Sequence, residues 1–153
     1  MSVVVWDGTW LAADRQANTA DLAVTCQKLM RAENGNILAF TGTLECGLML
    51  AQWYNEGANP DKWPEFQKTE EWTRLIVVDN EGASIYEKLP IAQKIHDTHA
   101  SWGSGRDYAL GAMAMGADAK RAVEIASEYN IDCGKGIDAL RVDTCSPEEL
   151  KVI

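Results

Sequence analysis

Short apolar runs separated by turn signals fill most of this chain, and their period changes from two to about 3.6 and back. The run Val3-Val4-Val5-Trp6, the pair Asp7-Gly8 and a second run from Thr9 to Asp14 predict a β-hairpin, because Asp and Gly both tolerate positive φ. Residues Asp14 to Asp21 are polar and read as turn. Further strands are predicted at Leu22 to Thr25, Lys28 to Arg31 and Asn36 to Thr41, with Glu33-Asn34-Gly35 between the last two.

The period then lengthens. Thr43 predicts a cap for a helix with Leu44, Gly47, Leu48, Ala51 and Tyr54 on one face, which must stop by Gly57-Ala58-Asn59-Pro60. A shorter helix is predicted over Pro64 to Trp72, with Pro64 in its first turn. Thr73 to Asp79 and Ala83 to Glu87 flank Asn80-Glu81-Gly82 and predict a second hairpin. Gly103-Ser104-Gly105 precedes a helix from about Arg106 to Met115, and Asp118 caps another in which Ala119, Ala122, Val123 and Ala126 recur. A last strand follows Cys133-Gly134-Lys135-Gly136 and covers Ile137 to Val142. Strands clustered around two helix pairs suit an α+β design: two antiparallel sheets face to face with helices outside, a four-layer α/β/β/α sandwich.

The 153 residues, 46% of them hydrophobic, suffice for one domain spanning 1–153. A net charge of −9, from 14 basic and 23 acidic residues, argues against a nucleic-acid partner, which requires a basic face. No apolar stretch is long enough to span a bilayer and the first residues lack signal-peptide character, so a cytoplasmic location is expected, without membrane contact. Cys26, Cys46, Cys133 and Cys145 are scattered and read as reduced and mostly buried thiols. His96 and His99 have no third ligand beside them, so neither a metal nor another cofactor is expected. The six Trp read as core or subunit-contact anchors.

Chemistry enters at the start of the chain. Ser2 follows Met1 and leads into the first strand; with Met1 removed, its α-amine can serve as base for its own hydroxyl. Leu11-Ala12-Ala13-Asp14, Gln27-Lys28-Leu29-Met30-Arg31, Ala39-Phe40-Thr41-Gly42 and Gly103-Ser104-Gly105-Arg106-Asp107-Tyr108-Ala109 then give the chain, over nearly its whole length, a resemblance to proteasome β subunits and the HslV peptidase. These are N-terminal nucleophile hydrolases. The resemblance implies that Ser2 stands where the family usually has a nucleophilic Thr. Asp14 matches the acid ending the second strand, and Lys28 the lysine beside the nucleophile. Ser104 matches the serine that assists the amine, and Asp132 or Asp138 the remaining acid. It further implies an oxyanion site near Thr41-Gly42-Thr43, and at Ala39 the floor of the pocket for the residue preceding the cut, a small side chain that would leave that pocket roomy. The Gly-rich turn at Gly134 departs from the family pattern, so no cation site is carried over.

Each residue also has a plain structural role open to it. Ser2 can simply start a strand, Asp14 can accept turn N–H bonds, Lys28 can be a solvated strand residue and Ser104 a helix cap. The expected function is a proteasome- or HslV-like hydrolase that cleaves peptide or protein substrates in a homo-oligomer, and the resemblance implies a ring and an unfoldase ATPase as partner. The alternatives are a degenerate, non-catalytic assembly protein and a small-molecule amidohydrolase of the same fold.

Overall fold

A computed structural model describes residues 2–142. Strands β1 (Val4–Trp6) and β2 (Leu11–Asp14) form the first hairpin, in the register Val4 with Ala13 and Trp6 with Leu11. Its turn is closed by the Asp7 carboxylate, whose Oδ1 accepts the N–H groups of Thr9 and Trp10 at 2.9 and 2.7 Å while Gly8 takes φ +93°. Both faces of β1 are buried. That explains its unbroken run of valines, which alternation alone would not produce.

Three antiparallel groupings follow. β10 (Ala100–Trp102), β1, β2 and β11 (Ile137–Leu140) form one sheet in that order. β5 (Leu29–Arg31), β6 (Ile37–Thr41), β7 (Arg74–Asp79), β8 (Gly82–Tyr86) and β9 (Gln93–Lys94) form another. β3 (Gln16–Thr19) pairs only with β4 (Leu22–Thr25). The helices are α1 (Leu44–Asn55), α2 (Arg106–Ala114) and α3 (Ala119–Tyr129).

Side-chain alternation sorts the core. Val4, Leu11 and Ala13 meet Leu29, Ile37, Ala39, Ile76 and Val78 from the five-stranded sheet. Val3, Val5 and Ala12 instead meet Ala109 and Met113 of α2 and Ala119, Ala122, Val123 and Ala126 of α3. Leu38, Phe40, Leu75 and Val77 meet Leu50, Ala51 and Trp53 of α1. Four of the six Trp, at positions 6, 53, 63 and 102, are buried.

Several elements differ from the sequence reading. Asp14 to Asp21 is not all turn, because β3 lies within it; that strand is largely polar and exposed, so no apolar alternation announced it. β10 also escaped, being three residues long. In α1 the buried residues are Gly47, Leu50, Ala51 and Trp53, whereas Leu48 is 48% exposed. Pro64 to Trp72 forms no α-helix: two 3₁₀ segments, Pro60–Lys62 and Glu65–Lys68, occupy the region. There the fully buried Gln67 side chain binds the backbone of Thr73 and Glu87, and Trp63 Nε1 donates to the Lys88 carbonyl at 2.8 Å. These long-range bonds favour the tighter, shorter turns.

Candidate active site

The β1–β2 hairpin returns Asp14 to the start of β1. Asp14 is fully buried, and its carboxylate accepts four hydrogen bonds. Oδ1 takes the Val3 N–H at 3.1 Å and the Lys28 ammonium at 2.6 Å; Oδ2 takes the N–H groups of Gln16 at 3.3 Å and Gly134 at 3.0 Å. One oxygen therefore joins the backbone beside Ser2 to a buried cation. Lys28, only 3% exposed, also donates to the Gln16 carbonyl at 2.8 Å, which leaves one of its three N–H bonds uncommitted. A solvated role for Lys28 is thereby excluded.

Ser2 is buried as well, and its Oγ has no hydrogen-bond partner. The link to Lys28 runs through Asp14 rather than directly. The Ser2 carbonyl accepts the Gly105 N–H at 3.2 Å and the Ser104 hydroxyl at 3.5 Å. A β-carbon on Gly103, where φ is +100°, would lie 2.1 Å from that carbonyl oxygen and 3.3 Å from Ser2 Oγ. Only glycine fits there.

Ser104 thus lies beside Ser2, but it does not cap α2: the cap is Gly105, which makes no side-chain bond. Neither acid left open by the sequence joins this group. Asp138 pairs with Arg15 Nε at 3.3 Å, and burial raises its pKa while Arg15 partly offsets the rise. Asp132 accepts from Asn18 Nδ2 at 3.0 Å.

A cleft of about 110 Å³ opens beside Lys28, lined in part by Ala17, Cys26, Phe40, Gly42 and Leu44. Gly42 sits at its edge with φ +113°, directly before Thr43, whose hydroxyl caps α1 by accepting the Cys46 N–H at 3.4 Å. Thr41 is buried at the end of β6. Ala39 does not face the cleft. It packs between the two large sheets, and Phe40, on the opposite face of β6, forms the wall, so the expected roomy floor is replaced by an aromatic ring. Alternation along Ile37 to Thr41 contains that signal, since Ile37 and Ala39 share one face and Leu38 and Phe40 the other. A larger groove of about 310 Å³ lies at the far end of the sheets, among the hairpin turns at Gly8 and Asn80.

Cys133 is a neighbour that the sequence did not single out. Its thiol is buried next to Ser104, and its pKa is pushed up to about 11, by burial first and then by the Asp14 charge, with Ser104 and Lys28 opposing. Cys26 and Cys46 are only partly buried, and Cys145 lies outside the described residues. A neutral thiol preferred by the folded state contributes stability below pH 9, its ordinary pKa being 9.0, and that contribution is lost as pH rises through about 11. Melting curves of Cys133→Ala and the parent protein are therefore expected to converge between those two pH values.

Among the described residues no group of three or more His, Cys, Asp or Glu is placed to hold a metal ion, and His96 and His99 are both exposed. No helix among them is long and apolar enough to cross a membrane.

No protein-family model and no curated protein matches the sequence. Solved structures do match the fold, and those neighbours are HslV- and proteasome-like. Thiobacillus denitrificans BPH superposes with a TM-score of 0.70 at 18% identity, covering 96% of this chain and 100% of that one. The same protein in complex with epoxomicin gives 0.69 at 16%, covering 94% and 100%. HslV from Trypanosoma brucei gives 0.66 at 18%, covering 91% and 97%.

Proposed function

We propose that this chain is a proteasome-type hydrolase of peptide bonds whose nucleophile is Ser2, freed by removal of Met1. The observation that carries the reading is the Asp14 carboxylate, buried and holding through one oxygen both the backbone next to Ser2 and the Lys28 ammonium. A serine hydroxyl attacks only when its proton is accepted, and an α-amine has an ordinary pKa of about 7.7–8.0. The nearby ammonium lowers that value and favours the neutral amine at pH 7.

In the first step Ser2 Oγ bonds to the substrate carbonyl carbon while the terminal amine takes the hydroxyl proton. Backbone N–H groups at the turn of Gly42 and Thr43 receive the negative charge on the carbonyl oxygen. Collapse breaks the C–N bond, and the same proton passes to the departing amine. Water, deprotonated by the Ser2 amine, then cleaves the ester and restores the hydroxyl. The cleft walled by Ala17, Cys26, Phe40 and Leu44 suits an apolar side chain on the residue before the cut. Asp132 and Asp138 remain outside this scheme.

The same reading takes the chain as one domain in a four-layer sandwich, supported by the order of its cores: α2 and α3, sheet, sheet, α1. It places the protein in the cytoplasm, in a homo-oligomer that shields the cleft and to which an unfoldase delivers polypeptide. A second reading, a non-catalytic assembly protein, is favoured by one observation: among the described residues no carboxylate is hydrogen-bonded to Ser104, whose hydroxyl donates to the Ser2 carbonyl and whose own carbonyl accepts from Asn130.

The deciding experiment is intact mass spectrometry of untagged protein before and after incubation with epoxomicin, which T. denitrificans BPH binds. The expected result is a chain lighter by one methionine that gains one inhibitor mass, mapped to Ser2. Retained methionine and no adduct would sink the catalytic reading.

A further inference from the structure

Thr73 has no hydrogen bond for its hydroxyl and no part in the chemistry above. The residue is 1% exposed and its Oγ1 is an unpartnered buried atom. Its backbone is gripped from both sides by one side chain: Gln67 Nε2 donates to the Thr73 carbonyl at 2.7 Å, and the Thr73 N–H donates to Gln67 Oε1 at 2.6 Å. Gln67 is fully buried and its Nε2 also donates to the Glu87 carbonyl at 2.5 Å, so the grip is anchored in the end of the second hairpin.

A residue fixed in this way cannot withdraw from what it touches, which is Gly42. A β-carbon on Gly42 would lie 2.7 Å from Thr73 Oγ1 and 3.4 Å from its Cβ and Cγ2. Thr73 therefore fills the space that a side chain at 42 would need. Valine would fill nearly the same volume without burying an unpaired hydroxyl.

We propose that Thr73 is a positioning residue for the turn Thr41-Gly42-Thr43. Clamped by Gln67, it props Gly42 and thereby sets the direction in which the backbone N–H groups of the turn point. The proposal rests on reading that turn as the oxyanion site.

The test compares Thr73→Ala, Thr73→Val and Thr73→Ser, using a fluorogenic peptide amide that ends in an apolar residue. Misplaced donors slow the chemical step, so Thr73→Ala, which removes the prop, is expected to lower kcat by about 10- to 100-fold with KM nearly unchanged, whereas Thr73→Val fills the same space and should keep most of the rate. Thr73→Ser keeps the hydroxyl oxygen, which lies 2.7 Å from the β-carbon position of Gly42, and should also keep most of the rate. Parental kcat in Thr73→Ala, or an equal loss in Thr73→Val, overturns the proposal. A parent protein that neither turns over peptide nor labels with epoxomicin defeats the nucleophile reading instead. The prop is then judged by amide hydrogen exchange at Gly42 and Thr43: faster exchange in Thr73→Ala at unchanged Tm upholds it, and unchanged exchange refutes it.

Discussion

Ser2→Ala is expected to reduce peptide-amide hydrolysis by at least about 10³-fold, the scale on which loss of a nucleophile is felt. Stability should hardly change. The Ser2 hydroxyl has no partner among the described residues, so its removal breaks no hydrogen bond with them and spares the desolvation of a buried polar atom. Melting temperature and turnover measured on the same preparation separate the two effects. Ser2→Cys supplies the control, since a thiol in the same place keeps a nucleophile beside the amine. Full activity in Ser2→Ala would remove the hydroxyl from the mechanism.

The second large effect falls on Asp14. Asp14→Asn keeps the shape but supplies one acceptor oxygen where the carboxylate accepts four hydrogen bonds, and it leaves the Lys28 ammonium buried without a counter-charge. Breaking such a pair from one side costs about 3–5 kcal/mol. Lys28→Met should be milder for folding, because the remaining carboxylate keeps three backbone N–H donors. Both variants should lose turnover, since each removes the ammonium's influence on the terminal amine or its anchorage. In urea unfolding, the double variant D14N/K28M should be more stable than Asp14→Asn alone, as its buried cation is gone. The opposite order would mean that Lys28 finds another counter-charge.

What the sequence made legible was the part governed by strong local rules. Asp7-Gly8 fixed the first turn, and the Asp118 cap with alanines at helical spacing fixed α3. The pairing of Asp14 with Lys28, 14 residues apart, came from resemblance, because nothing local in either residue requires the other. Three features stayed hidden for physical reasons. β3 pairs with the predicted strand β4 through backbone bonds while carrying mostly polar side chains of its own, so it has no hydrophobic period. The residues after Pro60 satisfy their polar groups through Gln67 and Trp63, at contacts 20 and 25 residues away. Ala39 faces the core and Phe40 the cleft, opposite to expectation, because the resemblance gave a position to within one residue and in a strand one residue reverses the face.

The clasp on Ser2 is built from residues 103–105, and Ser104 stands 102 positions downstream of the serine whose carbonyl it meets. Strand β10, which flanks β1, is also made only after residue 99. During translation the hairpin of β1 and β2 can close early, yet a nascent chain that has not reached residue 105 has no seat for Ser2. The surroundings of the proposed nucleophile are therefore completed only when residues 100–105 have been made, long after the serine itself.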